Sequence, residues 1–93
     1  MILKNEITFG GEVVRKKDFG DGRGGNITVK GSSNGEEIEL SVLLSEDMYK
    51  EICDKKYPLV VVNGHIEQRI HETSGKNIKR SLRFVADDLE LVS

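Results

Sequence analysis

The side chains that could do chemistry are cations gathered in two segments, and their chemistry is the binding of phosphate. Residues 14–31 and residues 65–83 each hold five cations against two carboxylates, although the 93-residue chain carries −2 in total. Cations follow a phosphate backbone, and aromatic rings stack on bases. The candidate contacts are Arg15, Lys16, Lys17, Phe19, Arg23, Lys30, Arg69, Lys76, Lys79, Arg80 and Arg83. We expect Phe19 to stack on a base, because a large ring in a glycine-rich loop has little core to enter.

The acidic residues limit that interface. Residues 36–56 hold seven carboxylates against three cations. Glu37 and Glu39 are expected to point outward from a strand, where carboxylates repel phosphates. Lys30 is expected to neutralise part of this repulsion from across a hairpin, opposite Glu36 or Glu37. Because the chain also has five aromatic residues and no Trp, the composition predicts modest affinity centred on loops.

The sequence predicts no catalytic, metal or cofactor site. Its acidic residues are scattered and form no recognisable acid/base pair. Residues 20–25 match the glycine spacing of the dinucleotide-binding fingerprint, but no helix follows them. His65 and His71 lie six residues apart on one predicted strand, too far to chelate an ion easily, and Cys53 lies elsewhere. We therefore expect a protein that is not an enzyme.

Alternating hydrophobic residues predict three strands in the first half of the chain. Residues 6–15 alternate and contain the pair Gly10–Gly11, which is typical of a bend or of a close backbone approach. Residues 16–25 can bury almost nothing and are predicted to form a flexible loop. Residues 26–30 and 37–42 alternate again and are joined by a glycine-containing turn, so they are predicted to form a hairpin.

One helix and two long strands are predicted in the second half. Residues 45–56 change to a helical period and have acidic residues first and lysines last, as the helix dipole favours. A long strand follows, and another spans residues 78–92 with a bulge near residues 86–88. Ile70 and Leu82 fall in the phases expected to face inward.

This order of elements predicts an all-β fold, a five-stranded OB-fold barrel with one short α-helix between strands 3 and 4. Residues 1–93 are expected to form one domain with one small core. The lone cysteine excludes an internal disulfide and fits a reducing compartment. The longest apolar stretch, residues 58–62, is too short to cross a bilayer, and the N-terminus has no signal pattern. A cytoplasmic protein with no membrane partner is expected.

The last two predicted strands carry a recognisable pattern. It consists of Val-x-Val-x-Gly-x-Ile at residues 60–66, a hairpin containing Gly75, and Val-Ala-Asp at residues 85–87. This pattern resembles the end of the barrel in the superfamily of bacterial single-stranded-DNA-binding and primosomal replication proteins. Residues 5–13, with Gly11, are similar to the first strand of that superfamily.

The resemblance implies an OB-fold that binds single-stranded DNA with little sequence preference. Segments 15–25 and 69–83 would supply the contacts, since these are the two loops with which OB-folds grip oligonucleotides. It also implies a homodimer or homotetramer that assists replication, recombination or mobile-element transfer together with the proteins of those processes. The chain departs from the superfamily in having no aromatic residue between Phe19 and Tyr49, where strands two and three usually carry stacking rings.

Two alternatives remain open from the sequence. An assembly or protein-interaction module that keeps the barrel without strong nucleic-acid binding is favoured by the absence of Trp, by Glu37 and Glu39, and by the net negative charge. An RNA-binding OB-fold is the other alternative, because the choice between RNA and DNA rests on contacts to the 2′-hydroxyl.

Overall fold

The computed structural model describes residues 5–72, 75 and 78–92, with the backbone alone at residues 71, 72, 78 and 79. The elements are β1 (Ile7–Asp18), β2 (Gly25–Ser33), β3 (Glu36–Leu44), α1 (Glu46–Ile52), β4 (Leu59–Glu72) and β5 (Ile78–Val92). The strands close into a barrel in the order β1-β2-β3-β5-β4. The predicted five-stranded OB-fold with one short helix between the third and fourth strands is confirmed.

The first strand belongs to both halves of the barrel. Ile7–Glu12 pairs with β4, and Glu12–Asp18 pairs with β2. A Cβ on Gly11 would lie 2.1 Å from the main-chain oxygen of Lys30. β1 and β2 therefore approach each other too closely at this point for any residue other than glycine. The close backbone approach predicted as one role of the glycine pair is confirmed. Just beyond it, Val14 has no partner in β2, because the register shifts between Val13 and Arg15.

β4 and β5 form a long hairpin whose far end leaves the barrel. Asp87 is the extra residue of a bulge, because Asn63 pairs with Asp88 while Gly64 pairs with Ala86; the predicted bulge is confirmed. The inward positions predicted for Ile70 and Leu82 are wrong, since these side chains are 65% and 72% exposed. β5 pairs with β3 only at Phe84 and Val85, so the strands beyond that point form an arm that no other described element covers.

The core fills the barrel, and the helix closes one end. Among the described residues the fully buried side chains are Ile27, Ile52, Val13, Val29, Val42, Val60 and Val62. Ser45 caps the helix by accepting a hydrogen bond from the backbone N–H of Met48. The helix ends at Ile52, not at residue 56 as predicted, and Tyr57 then takes a left-handed backbone. No helix in the described part of the chain is long and apolar enough to span a membrane.

Candidate nucleic-acid interface

Two grooves meet along the seam between β3 and β5. One, of about 480 Å³, lies under the β4–β5 arm, and the other, of about 420 Å³, lies beside the β1–β2 loop. Both grooves are lined by Leu43, Arg69 and Arg83. They therefore form one continuous surface from that loop to the arm, which we call the Arg69–Arg83 channel. Its other lining residues are Ile7, Phe19, Arg23, Asn26, Leu40, Ser41, Leu44, Ser45, Ile66, Leu82, Phe84, Val85 and Ala86.

Arg69 and Arg83 differ in their ion pairing. Arg69 is exposed on β4 and makes no ion pair with any side chain that the structure describes. Arg83, on β5, donates from Nη2 and Nε to the Oε1 atom of Glu67, at 2.8 and 3.2 Å. Arg83 is directly opposite Glu67 in the sheet. One guanidinium is therefore available to a phosphate, and the other is shared with a carboxylate.

A chain of ion pairs continues from Arg83 to the bulge in β5. Oε2 of Glu67 lies 3.0 Å from Nε2 of His65, and Nδ1 of His65 lies 2.8 Å from Oδ2 of Asp87. The hydrogen bond to Asp87, followed by that to Glu67, raises the pKa of His65 above its ordinary value. The hydrogen bonds from His65 and then from Arg83 lower the pKa of Glu67. Sequence reasoning missed this cluster, although the i, i+2 spacing of His65 and Glu67 places both on one face of a strand.

The connection between β1 and β2 is shorter and better ordered than predicted. The flexible loop expected over residues 16–25 is reduced to residues 19–24. The backbone N–H of Phe19 donates to the carbonyl of Gly24 at 3.0 Å. The guanidinium of Arg23 donates to the carbonyls of Phe19 and Gly20. These bonds hold Phe19, which is half-buried, in the wall of the channel.

Three more of the predicted cations, besides Arg23 and Arg83, already have partners. Arg15 forms an ion pair with Glu39 at 3.2 Å, and Lys30 forms one with Glu37 at 3.3 Å; the predicted neutralisation of Glu37 is confirmed. The ammonium of Lys16 donates to carbonyls of residues 52, 53 and 55, at and just beyond the C-terminal end of the helix. The reason is that Lys16 pairs with the inward-facing Ile27 and so points toward the helix. Nothing in the sequence indicated this role.

The remaining predicted residues are dispersed. Lys17 is exposed on β1 opposite Asn26, on the same face as Arg15. Arg80 is exposed on the arm opposite Ile70, so strand alternation directs it away from the face that carries Arg83. Lys76 and the side chain of Lys79 lie outside the described residues.

The surface between the channel and β1 is polar and uncharged. Ser41 donates to Oδ1 of Asn26 at 2.8 Å, and Thr28 lies opposite Ser41 in the sheet. No group of three or more metal-ligating side chains is found within the described ranges. The site therefore combines arginines, the half-buried ring of Phe19, the buried ring of Phe84 and neutral polar groups.

No family model matches the sequence, and no curated protein matches it significantly. The fold is similar to crystal structures of the mitochondrial single-stranded DNA binding protein Rim1 from S. cerevisiae. One has a TM-score of 0.71 at 14% identity and covers 94% of this chain and 93% of that chain. A selenomethionine-labelled form has a TM-score of 0.61 at the same identity and coverage. The Plasmodium falciparum SSB in complex with ssDNA has a TM-score of 0.68 at 15% identity, covering 100% and 98% of the two chains. These similarities establish the fold.

Proposed function

We propose that this chain binds single-stranded DNA in the Arg69–Arg83 channel, largely without sequence preference. The observation that carries the proposal is that three arginines, Arg23, Arg69 and Arg83, line one continuous groove with apolar walls. Such a groove suits phosphates and unstacked bases together, and stacking tolerates any base because every base has a π-face. The similar solved structures support the proposal, since they are single-stranded DNA-binding proteins and one was solved with ssDNA.

The proposed contacts fall into two groups. Those that line the channel are Phe19, Arg23, Arg69 and Arg83. Those outside it are Arg15, Lys17, Lys30, Lys76, Lys79 and Arg80. Arg15 and Lys30 would have to share their charge with a carboxylate to bind phosphate. Lys16 is left out, because its ammonium is held by helix carbonyls. Two rings line the channel, but Phe84 is buried, which leaves Phe19 to stack on a base, so binding is expected to be modest and electrostatic.

Fluorescence anisotropy of labelled oligo-dT, titrated at low and high salt, tests the proposal. Counterion release makes the affinity fall as salt rises. The absence of binding at low salt with roughly tens of micromolar protein, within the usual range of non-specific affinity, would refute it. Oligo-U of the same length, used as a competitor, distinguishes a preference for DNA from the RNA-binding alternative.

We also propose that the chain forms a homodimer or homotetramer and assists replication, recombination or mobile-element transfer in the cytoplasm. The exposed Ile70 and Leu82 support assembly, because a second copy could cover them. The free Cys53 is in keeping with a reducing compartment. Light scattering during size-exclusion chromatography measures the assembly, and a 10.4 kDa monomer at all concentrations would contradict it.

The competing function is an assembly module without strong nucleic-acid binding. Arg15, Lys30 and Arg83 favour it, because each is paired with a carboxylate. An oligomer that fails to bind oligo-dT at low salt would establish this alternative over DNA binding.

A further inference from the structure

We propose that Tyr57 forms a second base-stacking site, reached by a strand that leaves the Arg69–Arg83 channel and crosses β1. This inference rests on the proposed function. Tyr57 lies in the connection between α1 and β4, a segment to which the sequence assigned no contact. Its side chain is 57% exposed, so the ring contributes little to the core.

The backbone holds this ring in an uncommon position. Tyr57 has φ 48°, a left-handed conformation that a bulky residue rarely adopts and that concentrates at functional sites. The carbonyl of the next residue, Pro58, accepts a hydrogen bond from the N–H of Val13 at 2.9 Å. The connection is thereby tied to β1, and the ring is presented beside that strand.

The surroundings of the ring suit a nucleotide. The ammonium of Lys56 lies 5.9 Å from the ring centroid. A groove of about 270 Å³ beside the ring is lined by Tyr57, Lys56, Arg15 and Lys16 together with Val13 and Val14. Its volume is below the roughly 300–1,000 Å³ of pockets for drug-sized ligands, which fits one base better than a larger compound. Lys56 and Arg15 supply charge complementary to phosphate, and the ring and Val14 supply apolar contact.

A continuous path joins this groove to the channel. A third groove, of about 320 Å³, shares Arg15 and Lys16 with the Tyr57 groove and shares Asn26 with the channel. Lys17 lines it, and this exposed cation has no ion-pair partner among the described side chains. The bulge at Val14 sets the register that directs Arg15 and Lys17 to this face. A strand can therefore pass from Asn26 over Lys17 and Arg15 to Tyr57.

Intrinsic tyrosine fluorescence can be used to monitor this site. It has no Trp and two Tyr residues, of which Tyr49 is buried, with 7% exposure. Stacking of a base on Tyr57 should quench tyrosine emission when oligo-dT is added. The Tyr57→Phe variant is the matched control, because it keeps a ring that can stack but removes the emission of that residue. We expect it to bind DNA as the original chain does while the quenching is lost.

Oligonucleotide length separates the two sites. A DNA of about 4 nucleotides should occupy the channel alone, whereas one of about 16 nucleotides, at the upper end of OB-fold site sizes, should reach Tyr57. Tyr57→Asn removes the ring, and Asn tolerates a left-handed backbone. We expect this variant to bind the long DNA at least about fivefold more weakly, the lower end of base–aromatic stacking, and the short DNA unchanged. An unaltered melting temperature confirms that the variant is folded.

The outcomes distinguish this inference from the proposed function. If the original chain binds neither DNA at low salt, the proposed function fails, and this inference fails with it. If both bind, but Tyr57→Asn has no effect and tyrosine emission does not change, the inference alone is overturned. If tyrosine emission changes when the protein is diluted without DNA, the ring of Tyr57 lies between two copies of the chain. That result would also overturn the inference.

Discussion

The salt dependence of DNA binding by an Arg83→Gln variant is the most direct test of the channel. Arg83 lines both of its grooves. The substitution keeps a polar side chain and removes one positive charge. For a single strand, the logarithm of the affinity falls with the logarithm of salt by about 0.7 for each neutralised phosphate. If Arg23, Arg69 and Arg83 each neutralise one phosphate, the slope is about −2.1. A tenfold rise in salt then weakens binding by roughly 100-fold.

Removal of Arg83 should change the slope to about −1.4, so the same rise in salt weakens binding by roughly 25-fold. The fold should persist, because the ion pair with Glu67 is about 40% exposed on the carboxylate side, and such pairs contribute about 0–1 kcal/mol. Anisotropy titrations of oligo-dT at several salt concentrations and constant pH give the slope.

Lys50→Gln is the matched control for this experiment. It removes one positive charge from the exposed side chain of a residue that pairs with Glu46 on the helix and does not line the channel. Its slope should equal that of the original chain. An unchanged slope in Arg83→Gln, or an equal loss in both variants, would refute the reasoning, since the effect would then reflect total charge instead of position.

Three further predictions concern the residues that shape the site. The pKa of His65 is raised in the folded chain, so the stability that this residue contributes is complete below about pH 6.5 and is lost as the pH rises through the raised pKa. The melting temperature of the original chain should therefore fall over this pH range, and that of His65→Gln should not. Gly11→Ala should destabilise the fold by about 1–3 kcal/mol, because the added Cβ would lie 2.1 Å from a main-chain oxygen of β2. The melting temperature should fall by about 4–8 °C per kcal/mol. Gly10→Ala should change the melting temperature little, because the closest contacts of a Cβ at Gly10 are 3.4 Å away. Lys16→Met should cost about 0.3–1 kcal/mol of stability, because the contacts of Lys16 with the helix end are lost, and it should leave the salt dependence of binding to short DNA unchanged. Lys17→Met should leave stability unchanged. Equal melting temperatures for the two variants would contradict the different roles assigned to Lys16 and Lys17.

The barrel could be predicted because its strands are half-buried and their hydrophobic residues alternate. Ile27 and Val29, which alternate with polar residues, are both fully buried. Periodicity gives the phase of a strand, but it does not tell whether another element covers that face. Ile70 and Leu82 have the correct spacing and are exposed, because β3 and β5 pair at two positions only. That separation depends on the register of distant strands, which local sequence does not determine.

The candidate site could be predicted in part, for a related reason. Charge counted along the chain found the two basic segments, but not the partner of each cation. Arg15, Lys16 and Lys17 are consecutive, yet they face Glu39, the helix end and solvent, respectively. The bulge at Val14 fixes which of them points to which face. The sequence pattern does not reveal the position of this bulge, because residues 15–18 that follow it are all charged and show no alternation from which their faces could be predicted.

The two bulges therefore determine which cations are available to a polynucleotide. The bulge at Val14 leaves Lys17 without a carboxylate partner among the described residues and directs Lys16 to the helix. The bulge at Asp87 places a carboxylate beside His65, and His65 in turn shares Glu67 with Arg83. A neutral His65 carries no charge and donates only one of these two hydrogen bonds, so at high pH less of the Glu67 charge is offset by His65 and more of it acts on Arg83. The affinity of the channel for phosphate should therefore decrease as His65 loses its proton.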